Sequence, residues 1–157
     1  MSQKYVIAHF IEPFKPKFNF SCKEWPLHVT LLPNFVISDS LEALIRNLEG
    51  FSLTIAPFSV QIGEDANFGP SDEVLVSLIN PNADILLLHS KLLNITKSYT
   101  FDTPQYIGEG YKPHTTKQVN SQLISGEKYL IDNMTLVDMF PDNDIERREI
   151  IRTFQFN

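Results

Sequence analysis

The sequence predicts an α+β protein. Runs of β-branched and aromatic residues outnumber helical segments, and only two long stretches space their apolar residues as a helix does. The resulting order, β, β, α, β, β, α, β, short α, β, β, lacks the strict strand-helix alternation of a doubly wound sheet. With 157 residues, 43% of them hydrophobic and 20% charged, the chain has the size and composition of a single folded domain over 1–157.

Lys4 to Glu12 is rich in Tyr, Val, Ile and Phe and meets no breaker before Pro13, which predicts a buried strand. A loop is expected from Pro13 to Pro26. In Leu27 to Leu32, Leu27, Val29 and Leu31 alternate with His28, Thr30 and Leu32, the period of a second strand. Ser38 or Ser40 can cap a helix that carries Leu41, Leu44, Ile45 and Leu48 on one face and stops at Gly50. Phe51 to Gly63 reads as a strand interrupted at Pro57. Val74 to Ile79 is another strand, after which Asn80 and Pro81 offer a cap and a first-turn proline. The helix they open runs to about Tyr99, with Ile85, Leu88, Leu92, Ile95 and Tyr99 on one face. A Gly- and Pro-bearing segment, Thr103 to Gly110, leads to a strand at Tyr111 to Val119 and a short turn or helix to Gly126. Strands at Tyr129 to Phe140 and Glu149 to Phe156 follow.

Thirteen Lys and Arg against nineteen Asp and Glu leave a net charge of −6, which disfavours non-specific binding of a long nucleic acid. A small phosphate ligand or a strand end needs only local positive charge. Cys22 stands alone, so no internal disulfide or cysteine zinc cluster can form, which suits a reducing compartment. The first residues lack the pattern of a secretion signal, and Ile85 to Leu88 is far shorter than the roughly 18 apolar residues of a membrane helix. A cytoplasmic, monomeric protein without membrane contact is expected.

Two of the four histidines share a local frame: Pro26-Leu27-His28-Val29-Thr30 and Pro113-His114-Thr115-Thr116. In a strand, residues i and i+2 point to one face, so each frame presents an imidazole and a hydroxyl roughly 6.5 to 7 Å apart. Histidine titrates near neutral pH, and hydroxyls donate hydrogen bonds to phosphate oxygens. Two such units facing one cleft suit in-line attack on a phosphodiester, one imidazole taking a proton from the nucleophile and the other giving one to the leaving oxygen. Which is acid and which is base stays open, because the two frames are equivalent. A single His-x-Thr is common on the polar face of a strand, so a coincidental pair remains a rival. Each tetrad also follows an apolar strand and precedes a helix or short helix and another strand, a faint internal duplication.

The paired His-x-Thr tetrads, with Phe35 after the first and Phe68-Gly69-Pro70 leading into Val74-Leu75-Val76, resemble the two-histidine (2H) phosphoesterase superfamily, which contains 2'-5' RNA ligase-like proteins and 2',3'-cyclic phosphodiesterases. The resemblance implies a bilobal fold of two pseudo-symmetric antiparallel sheets, with helices packed outside and a central groove. It implies no cofactor and no metal, His28 and His114 as catalytic residues, and Thr30 and Thr116 as phosphate ligands. Where members of that family often carry a basic residue a few places after the first tetrad and an arginine after the second, this chain has Leu32 and Pro33 after the first and Lys117 and Gln118 after the second.

Substrate contacts are expected beside the tetrads. The loop before His28 is locally positive and interleaves Lys15, Lys17 and Lys23 with Phe14, Phe18, Phe20 and Trp25. Trp25 is its best candidate to stack on a base, whereas most of the Phe rings fit a core. Tyr111, Lys112 and Lys117 flank His114 in the same way. His9 is expected in the core or a groove wall and His89 at the solvent face of its helix. No pair of histidines has metal-ligand spacing. Acids are dense from Asp132 to Glu149, and the Phe140 to Arg148 part reads as an exposed, solvated turn between strands. These features predict a phosphodiesterase acting on a small or RNA-terminal phosphodiester, which the resemblance implies is a 2',3'-cyclic phosphate, with a non-catalytic binder of nucleotides or RNA ends as the alternative.

Overall fold

The computed structural model describes residues 3–118 and 121–157. Among the described residues there are two antiparallel sheets and two α-helices, with short 3-10 turns between them. The strands are β1 (Tyr5–Phe10), β2 (Asn19–Ser21), β3 (His28–Val36), β4 (Phe58–Phe68), β5 (Val74–Ile79), β6 (Thr100–Phe101), β7 (His114–Thr116), β8 (Lys128–Ile131), β9 (Asn133–Asp138) and β10 (Arg147–Gln155). The helices are α1 (Leu41–Ser52) and α2 (Ala83–Ile95). One sheet has the order β2-β10-β9-β1-β3-β6 and the other β7-β5-β4-β8. The α+β expectation holds, and no described helix is long and apolar enough to cross a membrane.

The main core lies between the sheets and helices, where Ile7, Val29, Leu31, Phe35, Leu44, Leu48, Ile62, Leu88 and Leu92 are buried together. A second apolar cluster, Val6, Ala8, Phe10, Val137, Met139 and Ile150, occupies the other face of the large sheet. Phe14, Phe20 and Trp25 from the loop before β3 pack onto it, which accounts for that loop's aromatic content. β2 forms inside the same loop as a short edge strand on β10.

Several boundaries move, each for a local reason. Ser40 caps α1, its Oγ accepting the Ala43 N–H at 3.1 Å. Gly50 does not end that helix: it sits on the exposed face, where a side chain would meet nothing, and α1 continues to Ser52. The strand expected from Phe51 therefore starts at Phe58, immediately after Pro57. Asn82, not Asn80, caps α2 by accepting the Ile85 N–H at 2.9 Å. Asn80 is instead tied to β4 through Gln61. The strand expected over Tyr129 to Phe140 divides at Asp132, so that β8 completes the small sheet and β9 enters the large one. The strand expected from Tyr111 is ordered as β only over His114–Thr116, and its end at Val119 lies outside the described residues.

Candidate active site

The first tetrad opens β3, where His28 pairs with Phe10 and Thr30 with Ala8 across the antiparallel β1. Cross-strand partners share a face, so His28 and Thr30 lie on the side of Phe10 and Ala8, away from His9. The second tetrad forms β7, the edge of the small sheet, with His114 opposite Leu78 and Thr116 opposite Val76. β7 packs against β3, and the Tyr111 hydroxyl just ahead of it donates to the Thr30 carbonyl at 2.7 Å.

Each histidine is braced in the same way. His28 Nδ1 lies 2.8 Å from the Pro26 carbonyl and His114 Nδ1 lies 2.7 Å from the Lys112 carbonyl, two residues back in both cases. A carbonyl only accepts, so both Nδ1 atoms carry the proton, and each ring keeps Nε2 for chemistry. Aromatic rings complete each support. Trp25 lies 4.8 Å and Phe10 5.6 Å from the His28 ring, and Phe68 meets His114 edge-on at 4.7 Å.

Electrostatics separate the two rings. Burial lowers His28 to about 4, and charge on His114 lowers it further by a smaller amount. Burial also lowers His114, while its bond to Lys112 opposes the shift.

The flanking candidates fall in different places. Trp25 stands beside His28, partly exposed, while also packing on Phe20 and Phe10. Lys112 is exposed and contributes its carbonyl to His114. Lys117 is spent elsewhere: its Nζ pairs with Asp65 at 2.7 Å, and Asp65 in turn accepts from Ser77, the partner of Thr115. Strand parity therefore puts Lys117 on the Thr115 side, opposite His114 and Thr116. Tyr111 is 9% exposed, so its ring is part of the framework rather than an open stacking surface.

His9 is buried as expected, with Nδ1 against the Asn133 carbonyl at 2.9 Å. It lines a cavity of about 320 Å³ with Ile11, Tyr129 and Asp132, and no tetrad residue reaches that cavity. His89 corrects the expectation of a solvent-facing side chain: it is 2% exposed and hydrogen-bonded at both ring nitrogens. Its place in the buried series Ile85, Leu88, His89, Leu92 was the available signal, masked by the polar Ser90 and Lys91 that follow. Among the described residues no three His, Cys, Asp or Glu side chains gather where they could hold a metal ion.

The model of the 2'-5' RNA ligase superfamily matches residues 5–128, a span containing both tetrads. A Bacillus licheniformis protein that carries a phosphoesterase name is 27% identical over 92 residues; the match takes in 58% of this chain and 51%, about half, of that relative. Among solved structures, the Thermus thermophilus protein TT0787 superposes with a TM-score of 0.62 at 17% identity, covering 98% of this chain and 97% of that one. Escherichia coli LigT, crystallised with NADP+, gives 0.61 at 12% identity, covering 99% and 98%. At such identities the superpositions establish a shared fold. The family match extends over most of the sequence, and the chain belongs to the 2'-5' RNA ligase superfamily.

Proposed function

We propose that the protein is a phosphodiesterase that hydrolyses a 2',3'-cyclic phosphodiester, on a small nucleotide or at an RNA end, by two-histidine acid-base catalysis without a metal. The observation that carries this reading is the identical bracing of His28 and His114, which leaves both Nε2 atoms for proton transfer from adjoining strands. Membership of the superfamily supports phosphoester chemistry, and the LigT crystals containing NADP+, 3'-AMP or ATP support a nucleotide-sized ligand.

In this mechanism, neutral His28 Nε2 takes a proton from water as the water oxygen bonds to phosphorus. The ring P–O bond breaks, and protonated His114 Nε2 delivers its proton to the departing ribose oxygen. Thr30 and Thr116 donate to the non-bridging oxygens, where charge gathers. The roles follow from burial: the ring lowered to about 4 stays neutral over most of the pH range and suits the base. Solvent exchange afterwards returns a proton to His114 and removes one from His28. With Lys117 held by Asp65, the hydroxyls and the protonated imidazole carry the phosphate's charge.

The test is hydrolysis of a panel of 2',3'-cyclic nucleotides in EDTA by the wild type, His28→Ala and His114→Ala. Activity that survives EDTA and falls about 10²–10⁴-fold in each variant is expected. Activity abolished by EDTA, or unchanged in both variants, overturns the mechanism. Nucleotide binding without turnover in the wild type selects the non-catalytic alternative.

A further inference from the structure

β3 is irregular just behind its tetrad. Ala8 pairs with Thr30 and Ile7 with Leu32, so Leu31 is an extra residue, a bulge of the kind that re-aims side chains near active sites. Two side chains from outside the sheet hold this bulge. The Tyr111 hydroxyl donates to the Thr30 carbonyl at 2.7 Å, and His89 Nδ1–H donates to the Leu31 carbonyl, also at 2.7 Å. The His89 and Tyr111 rings stack on each other, 3.8 Å apart and 10° from parallel. His89 Nε2 accepts the Gly108 N–H at 3.0 Å, fixing the turn that delivers Tyr111.

These contacts close a circuit from α2 to the bulge, through the stacked rings, to the chain entering β7. His89 differs in this from His28 and His114. Both its nitrogens are engaged, so it is held neutral with the proton on Nδ1 and has no free atom for proton transfer. The Tyr111 phenol is buried and pushed up, so it stays a donor.

We propose that His89 and Tyr111 are a positioning pair, which locks the β3 bulge behind Thr30 and sets it against the strand that carries His114. The pair acts through the tetrads and touches no substrate. It rests on the two-histidine reading above for its catalytic consequence, but not for its structural one.

The test uses the full chain with Tyr111→Phe, which keeps the stacked ring and removes only the hydroxyl, and His89→Asn, which keeps a donor for Leu31 and loses both the stack and the Gly108 acceptor. Turnover of a 2',3'-cyclic nucleotide should fall about 10²-fold in Tyr111→Phe, the effect of a small misplacement of reacting groups, with KM little changed. A role in substrate binding would raise KM instead. The second readout needs no turnover: in nitrogen-labelled protein, the Nε2 resonances of both His28 and His114 should move in Tyr111→Phe, with and without inorganic phosphate. Wild-type kcat in Tyr111→Phe, a kcat loss that vanishes at temperatures where the variant is fully folded, or unmoved ring resonances each overturn the proposal. If the wild type hydrolyses nothing, the hydrolase reading has failed, and if His28→Ala stays active, the two-histidine mechanism has failed; in either case the resonances alone decide on the pair. If His28→Ala is inactive and Tyr111→Phe equals wild type, only the positioning proposal falls.

Discussion

The two His-x-Thr units share their local design but not their support. His28 begins a nine-residue strand inside the six-stranded sheet, pressed by Trp25 and Phe10. His114 begins a three-residue strand at the edge of the small sheet and meets Phe68. Both rings are held through Nδ1 by the carbonyl two residues back, at 2.8 and 2.7 Å. The motif sets the tautomer, and the surroundings set the proton affinity. In the proposed mechanism, that difference is what makes one member of a pair symmetric in sequence the base and the other the acid.

The largest effect is expected from the imidazoles, where His28→Ala and His114→Ala each lose about 10²–10⁴-fold in kcat. Next come the hydroxyls: Thr30→Ala and Thr116→Ala should each lose about 10²-fold, as removal of one donor to developing charge does, with Thr→Ser at either position restoring most of it. Equal losses would show that both units hold the phosphoryl group; a loss at Thr30 alone would show that the edge strand does not.

The pH dependence is a smaller and more specific effect. Activity should rise as pH climbs through about 4, where free His28 loses its proton, and should fall as pH passes the lowered value of His114, so the kcat/KM optimum lies on the acid side of 6.5. Stability follows the same groups. His28 is lowered in the folded state, so the unfolded chain binds more protons between about 4 and 6.5, and folding weakens as pH falls through that window. Urea midpoints at pH 7 and pH 4.5 should differ less in His28→Asn than in the wild type, and His114→Asn should narrow the gap less than His28→Asn does.

Much of this was legible in the sequence. The alternation around Val29 and Leu31 placed His28 and Thr30 on one face, and Ser40 capped α1 as its hydroxyl and spacing suggested. β5 occupies Val74–Ile79, the bounds of its aliphatic run. What escaped was set by tertiary contacts. Nothing local marks Asp132 as the point where the chain passes between sheets, because apolar residues continue on both sides. Gly50 looked like a stop, but the buried face of α1 continues past it through Ser52. His89 looked solvated until packing supplied the Leu31 carbonyl and the Gly108 amide. Lys117, adjacent to the second tetrad in sequence, is drawn off by Asp65 from another strand.

The proposed mechanism requires both imidazoles to act on one phosphodiester. The most direct measurement is a double-mutant cycle, with cyclic-nucleotide hydrolysis in EDTA by His28→Ala, His114→Ala and the double variant. Residues that act as a unit are strongly non-additive, so the double variant should be scarcely slower than the worse single one. A double loss equal to the product of the two single losses would mean independent contributions and would contradict a shared site.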